Sequence, residues 1–446
     1  MRKYFGTDGV RGVANVELTP ELAFKLGKSA GYVLTKQMSE QTSRPTFVVG
    51  KDTRISGPML EAALISGLTS SGVNVIQLGI VPTPAVAYIT KQLANGGVMI
   101  SASHNPYQDN GIKFFNQDGY KLSDTVELEI EYYLENLNEV PTYSGGELGT
   151  ILPYNNAANF YVEFLKNSIS TDLRGLNIVV DCANGAASTV APTLLESLGA
   201  NVHILSSSPD GVNINVDCGS THPEQLQKKV VEVKADLGLA FDGDADRLIA
   251  VDENGNVVDG DQILYICAKA LRSKGMLTNQ TVVSTVMSNF GFQKALNELG
   301  VNSVQTNVGD RYVLEEMINK GYTLGGEQSG HIIFLNLNTT GDGILSALQL
   351  ASIVKESSMT VTELLSGFKK YPQQLVNVKV KDKKAWENHP SIRNAISEAE
   401  ITLSGNGRVL VRASGTENLV RVMVEADNSD LVNKLVTSIA NEIKKS

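Results

Sequence analysis

Three times in this chain a helix-period stretch ends at a glycine and runs directly into an apolar strand: SSGVNVIQ, SLGANVHI and ELGVNSVQ, with Gly72, Gly199 and Gly300 at the junction. A left-handed residue closes a helix most easily when it is glycine, so each junction reads as a helix stop followed by a strand. An apolar run and a polar loop precede each helix, as in TFVVGKDTRISGPMLEAALISGLTSSGVNVIQLG from Thr46, and again from Asn177 and Thr281. Those are βαβ units, which require a largely parallel sheet with helices on its faces. The glycines lie 127 and 101 residues apart, too far and too unevenly for a solenoid, so the reading is a repeat of whole domains, the plain alternative being that any α/β protein makes helix-Gly-strand junctions. After Tyr371 the texture changes to QLVNVKVKD, GRVLVRAS and NLVRVMVEA with a closing helix near 431–444, a smaller α+β domain. The expected architecture is therefore α/β: three similar mixed α/β domains over 1–150, 151–255 and 256–370, then an α+β domain over 371–446.

A length of 446 residues suits two to four domains with a large core. With 38 Lys and Arg against 48 Asp and Glu the net charge is −10, which argues against a nucleic-acid partner. Cys182, Cys218 and Cys267 are spaced by 36 and 49 residues with no CxxC pair, so buried thiols are expected rather than disulfides or a zinc site. No window approaches 18 uninterrupted apolar residues, and MRKYFGTDGVRG lacks the apolar run of a signal peptide. The expectation is a cytoplasmic protein that starts at its mature Met1 and has no membrane partner.

Four loops carry chemistry. In VMISASHNPYQDNGIKFF an apolar strand stops at a turn holding Ser101, Ser103, His104 and Asn105, the place where α/β proteins put reactive groups. A serine there can act as nucleophile with His104 beside it, although neighbours on a strand point to opposite sides, and Lys113 can supply charge to a phosphoryl group. On sequence grammar alone, Ser-His-Asn-Pro is a turn first. In LGLAFDGDADRLIAV, Asp242, Asp244 and Asp246 follow a strand at i, i+2 and i+4, with Arg247 next. Three carboxylates this close repel one another unless a cation neutralises them. Arg247 stands where an EF-hand loop needs glycine, so a Mg²⁺ that also takes a phosphate is the economical reading. A solvated acidic turn is the plain alternative. In YTLGGEQSGHIIF, Glu327, Gln328, Ser329 and His331 offer the mixed hydrogen-bonding groups that vicinal sugar hydroxyls need. A glycine-rich hairpin explains the same letters. In VLVRASGTENLVRVMVE, Arg412, Ser414, Gly415, Thr416 and Arg421 combine a small anion-binding turn with two guanidinium forks, a phosphate grip. Nothing matches GxxxxGK[ST], so ATP hydrolysis has no support.

Taken together, SASHNP, DGDADR, GGEQSGH and RASGTEN resemble, in order, the signature loops of the α-D-phosphohexomutase superfamily, and the resemblance spans the whole chain from KYFGTDGVRG onward. The opening motif, the ISASHNPYQDNGIKFF loop and GEQSGH are similar to members that interconvert glucosamine 6-phosphate and glucosamine 1-phosphate. Asn418 departs from the proline common after GTE in that family. The resemblance implies four domains around a central cleft, with Ser103 as the phosphorylated serine and His104 its neighbour. It implies Mg²⁺ held by Asp242, Asp244, Asp246 and the Ser103 phosphate. Lys113, Arg247 and Arg11 would stabilise the moving phosphoryl, and His331 or Lys113 would move the hydroxyl proton. Glu327 and Ser329 would read the sugar, and Arg412, Ser414, Gly415, Thr416 and Arg421 would hold the idle phosphate. Glucosamine 1,6-bisphosphate would be the intermediate or activator, feeding amino-sugar nucleotide and cell-wall precursor synthesis, in a monomer or homodimer. The competing readings are a sugar-phosphate binder without turnover, an aspartyl phosphatase built on DGDAD, and a mutase for glucose or mannose phosphates.

Overall fold

The computed structural model describes residues 3–36, 44–382, 385–413 and 418–445 and divides into two compact units, 1–286 with 304–366 and 287–303 with 367–446. The larger unit opens with strands β1 (Phe5–Gly6), β2 (Gly9–Val13), β3 (Thr46–Lys51), β4 (Asn74–Ile80), β5 (Gly96–Ile100), β6 (Asp109–Asn116) and β7 (Ile151–Pro153). They form one sheet in the order β1-β2-β6-β5-β3-β4-β7. β3 pairs in parallel with β4 and β5, whereas β6 runs antiparallel to β5 and β2, so the sheet is mixed. Helices α1 (Pro20–Thr35), α2 (Gly57–Ser70) and α4 (Asp124–Glu135) share one core with it, in which Leu26, Leu60, Leu64, Val49, Val98 and Ile130 are fully buried. Helix α3 (Thr83–Leu93) packs on β3 and β5.

Helix α5 (Ala157–Lys166) leads to a second sheet of β8 (Asn177–Asp181), β9 (Asn201–Leu205), β10 (Leu237–Phe241), β11 (Leu248–Asp252) and β12 (Val257–Val258), ordered β12-β11-β10-β8-β9, with α6 (Ala191–Ser197) and α7 (Glu224–Val233). A third sheet, β14-β13-β15-β16, combines β13 (Thr281–Thr285), β14 (Asn302–Thr306), β15 (Leu324–Gly326) and β16 (Ile332–Phe334). With it go helices α8 (Gly260–Ser273), α10 (Asp310–Lys320), α11 (Gly343–Ser357) and α12 (Val361–Leu364), while α9 (Phe290–Glu298) follows β13 in the chain. The expected junction glycines Gly72, Gly199 and Gly300 take left-handed φ values of 80, 90 and 68°, each just past its helix.

In the smaller unit, β17 (Gln373–Lys379), β18 (Gly407–Ala413) and β19 (Leu419–Ala426) form an antiparallel sheet ordered β17-β19-β18. Helices α13 (Pro390–Leu403) and α14 (Ser429–Lys445) close it over Ile392, Val422, Val436 and Ile439. Helix α9 belongs to this unit. Asn289, at its N-terminus, donates to the Tyr371 carbonyl at 3.0 Å and to Glu425 at 3.1 Å. The three cysteines are buried and free, and burial pushes the Cys218 and Cys267 thiols up to about 11 and 12. Among the described residues no helix is long and apolar enough to cross a membrane.

Candidate active site

The larger unit builds its site from loops that leave buried strands. β5 is buried along its whole length and stops at Ile100, after which the chain turns and returns as β6. Ser103 sits in that turn with φ of 54°, a left-handed conformation that costs a residue with a Cβ about 1–2 kcal/mol. Because Ser103 lies beyond the strand, strand alternation does not part it from His104, and its Oγ lies 3.2 Å from His104 Nδ1. Burial, then the Arg247 and Arg11 charges, lower the His104 pKa and keep the ring neutral. The Ser103 hydroxyl donates to Asp242 Oδ2 at 2.5 Å.

Asp242, Asp244 and Asp246 occupy the turn between β10 and β11, all buried, each presenting a carboxylate oxygen within 4.8 Å of the others. Gly243 is what lets this turn meet the serine loop, since a Cβ there would stand 2.6 Å from the Ser103 carbonyl oxygen and 3.0 Å from Asn215 Nδ2. Burial, then the neighbouring Asp246 and Asp244, push the Asp242 carboxyl well above the usual range. Oδ1 of Asp244 and Oδ1 of Asp246 are buried and have no hydrogen-bond donor. Three carboxylates within reach of one another, two of them with a buried oxygen that no donor satisfies, are the donor set of a hard divalent cation, so these residues fit a metal ion.

A chain of alternating charge encircles the triad. Lys113, on β6 opposite Met99, lies 2.9 Å from Asp244 Oδ2, 3.0 Å from Asp8 Oδ2 and 3.8 Å from Asp246 Oδ2. Burial would lower its pKa, but Asp244, Asp8 and Asp246 outweigh burial and raise it, so Lys113 stays protonated. Asp8 also pairs with Arg11 and Lys121, and Lys121 reaches on to Asp310, the first residue of α10. His331 stands between the last two acids, with Nε2 3.6 Å from Asp310 and Nδ1 3.6 Å from Asp246. The Gly341 amide donates to His331 Nε2 at 3.1 Å, which leaves the ring proton at Nδ1, facing Asp246. Burial would lower the His331 pKa, but the hydrogen bond to Asp246 and the Asp246 and Asp310 charges outweigh it and raise it. Thr83 completes the surroundings by donating to Asp244 Oδ2 at 2.6 Å.

The other expected residues fall as follows. Arg247 donates its backbone N–H to Asp242 Oδ1 at 3.2 Å and holds Nε 3.9 Å from Asp246 Oδ1. Glu327 follows β15 and accepts from the Gly309 amide at 3.2 Å, while Ser329 is exposed at the tip of the β15–β16 hairpin. In the smaller unit, Arg412 and Arg421 face each other across β18 and β19. Burial, then the Arg421 charge, lower the Arg412 pKa, and Arg421 Nε is buried without a partner. Ser414, Gly415 and Thr416 lie outside the described residues. Sequence reasoning passed over Asp8, Thr83, Lys121 and Asp310. Asp8 was visible as the acid of FGTDGVRG, but nothing in the letters around Thr83, Lys121 or Asp310 marks them.

Comparison with known proteins gives the chain a family. Profiles of the phosphoglucomutase/phosphomannomutase family match in sequence: α/β/α domain I over residues 2–140, domain II over 159–255, domain III over 259–371 and the C-terminal domain over 375–442. A protein of Anoxybacillus flavithermus named phosphoglucosamine mutase is 57% identical over 447 residues, covering 100% of this chain and 99% of the relative. One of Geobacillus thermodenitrificans with the same name is also 57% identical, with the same coverage. The crystal structure of a phosphoglucomutase/phosphomannomutase family protein from Burkholderia thailandensis superposes with a TM-score of 0.82 at 24% identity, covering 100% of this chain and 98% of that one, a likeness of fold. With all four domain profiles in order and relatives this similar along its whole length, the chain belongs to the phosphoglucomutase/phosphomannomutase family.

Proposed function

We propose that this chain interconverts glucosamine 6-phosphate and glucosamine 1-phosphate, the activity in the name of its relatives, with phosphorylated Ser103 as the carrier. The observation that carries the reading is the Ser103 hydroxyl held 2.5 Å from Asp242 inside a buried triaspartate cluster. A binder has no use for a hydroxyl in that position. In the first transfer the Oγ–P bond of phosphoserine breaks as the free sugar hydroxyl bonds to phosphorus, leaving the serine oxygen and a glucosamine 1,6-bisphosphate. After the bisphosphate turns over, Ser103 Oγ takes the other phosphoryl, and the isomeric monophosphate leaves.

Mg²⁺ held by Asp242, Asp244 and Asp246 would supply Lewis-acid charge that offsets a phosphoserine beside three carboxylates. The protein's own groups do the rest. Protonated Lys113, with Arg11 and Arg247, places fixed positive charge where the phosphoryl oxygens gather it. His331 or Lys113 moves the proton of the sugar hydroxyl; nearby carboxylates raise the pKa of both, Asp246 and Asp310 at His331 and Asp244, Asp8 and Asp246 at Lys113. Arg412 and Arg421 hold the idle phosphate in both half-reactions, and Glu327 and Ser329 read hydroxyls. Substrate amino-sugar phosphates and three free, buried cysteines fit a reducing cytoplasm. Side-by-side mutase assays with glucosamine, N-acetylglucosamine, glucose and mannose phosphates test the assignment. Turnover should be fastest with glucosamine phosphates. Faster exchange with glucose or mannose phosphates, or release of free phosphate, would overturn it.

A further inference from the structure

The loop between β3 and α2 holds an arginine that no part of this reaction uses directly. Arg54 is 1% exposed, 49 residues before Ser103 in sequence, and its guanidinium lies directly beneath the serine turn. Its Nε donates to Asp52 Oδ2 at 2.9 Å. Nη2 donates to the carbonyls of Ser103 and Asn105 at 2.9 and 2.8 Å. Nη1 donates to the carbonyls of Pro106 and Asp109, the latter at 3.1 Å. All five N–H donors of the side chain are thus engaged, four of them on main-chain oxygens of a single loop. A second donor binds the same pair: Asn215 Nδ2 lies 2.9 Å from the Ser103 carbonyl and 3.1 Å from that of Asn105. On the other side of the serine, the Ser103 amide donates to Ser101 Oγ at 2.9 Å, and Ser101 in turn bonds Asp52, the partner of Arg54.

A left-handed serine persists only where its surroundings over-determine it. Here they do so through the Ser103 carbonyl, fixed by Arg54 and Asn215, and through its amide, fixed by Ser101. We infer that Arg54 is a positioning residue for Ser103: its fork pins the carbonyls of the serine loop so that the Oγ stays aimed at Asp242 through both phosphoryl transfers. The fork itself matters, and not only the charge. A lysine can keep the ion pair with Asp52, but three donors on one point cannot reach four carbonyls spread over seven residues. The inference rests on Ser103 being the carrier.

The test uses the full chain in the glucosamine phosphate mutase assay, with Arg54→Lys, Asn215→Ala and Ser103→Ala measured together. A misplacement of about 1 Å at a reacting atom costs roughly 100-fold in rate. Arg54→Lys should therefore lose about 100-fold in kcat with KM within about threefold of the parent. Asn215→Ala, which removes the lesser of the two donors, should lose about 10-fold with the same split between kcat and KM. A role confined to stability would instead lower the melting temperature and leave kcat per folded molecule unchanged. If Arg54→Lys fails to fold, Asn215→Ala decides alone. An inactive Ser103→Ala beside parental kcat in the folded clamp variants overturns the clamp and spares the carrier. Activity retained in Ser103→Ala overturns the carrier, and the clamp with it.

Discussion

Ser103 Oγ and Asp242 Oδ2 meet at 2.5 Å across 139 residues of sequence, and that contact brings the serine loop onto the acidic turn. Replacing Ser103 by alanine removes the carrier oxygen while leaving the loop's main-chain bonds to Arg54 and Asn215 in place. At least about 99% of mutase activity should disappear with little change in melting temperature. Ser101→Ala, which loses an acceptor for the Ser103 amide and a bond to Asp52 but keeps the carrier oxygen, should be much milder. Near-parental activity in Ser103→Ala would refute the phosphoserine route.

Removing the metal should stop turnover, and Mg²⁺ should restore it, because two buried oxygens of the triad, Asp244 Oδ1 and Asp246 Oδ1, have no hydrogen-bond donor. Asp244→Asn should raise the Mg²⁺ concentration needed for half-maximal activity. It also weakens the contacts that Lys113 and Thr83 make to that carboxylate. Activity that survives exhaustive chelation would remove the metal from the account.

Lys121 joins Asp8 to Asp310, and its loss leaves two partly buried carboxylates facing each other. Lys121→Met should cost roughly 2–4 kcal/mol of stability, seen as an earlier urea midpoint, with part recovered in the double variant Asp8→Asn/Lys121→Met. The pH dependence has a definite sign. Burial raises both carboxyls, but Lys113, Lys121 and Arg11 outweigh it at Asp8 and Lys121 and His331 outweigh it at Asp310, so both lie below the usual range. Groups depressed in the folded state contribute stability above about pH 4 that is lost as pH falls through their folded values. Lys121→Met should therefore move acid unfolding to higher pH; an unchanged acid midpoint would show that the bridge contributes nothing.

Arg412 and Arg421 are directly opposed like charges, an arrangement that costs stability unless an anion sits between them. Arg421→Lys keeps the charge and loses the planar fork, and should cost roughly 1.5–3 kcal/mol in kcat/KM with glucosamine 1-phosphate and glucosamine 6-phosphate alike. Impairment with one isomer alone would show that the pair serves a single binding orientation. Parental kinetics with both would dismiss it as a phosphate grip.

Much of the fold was legible because its signals are local. The glycines that stop α2, α6 and α9, the apolar runs of β5 and β10, and the alternation of the last three strands each need only a few neighbouring residues. The aspartate triad and the serine loop were legible as candidate sites for the same reason, being short, dense and placed at strand ends. What stayed hidden depends on distance in sequence. Lys121 matters because it spans Asp8 and Asp310, 113 and 189 residues away. Arg54 matters because four carbonyls about 50 residues downstream fold over it. Neither has a spacing that sequence periodicity could detect. The left-handed turn at Ser103 was hidden too, since Ser-His-Asn-Pro is compatible with several turns and only the packing of the two loops selects this one.

Whether Ser103 carries the phosphoryl group is read by incubating the protein with ³²P-labelled glucose or glucosamine 1,6-bisphosphate, isolating it, and mapping the label by peptide mass spectrometry. A phosphoserine carrier should show one phosphate per chain, on Ser103, that is discharged to sugar phosphate when unlabelled glucosamine 6-phosphate is added. Label on Ser101 or on an aspartate of the DGDAD turn, or a protein that turns over substrate without carrying phosphate, would contradict it.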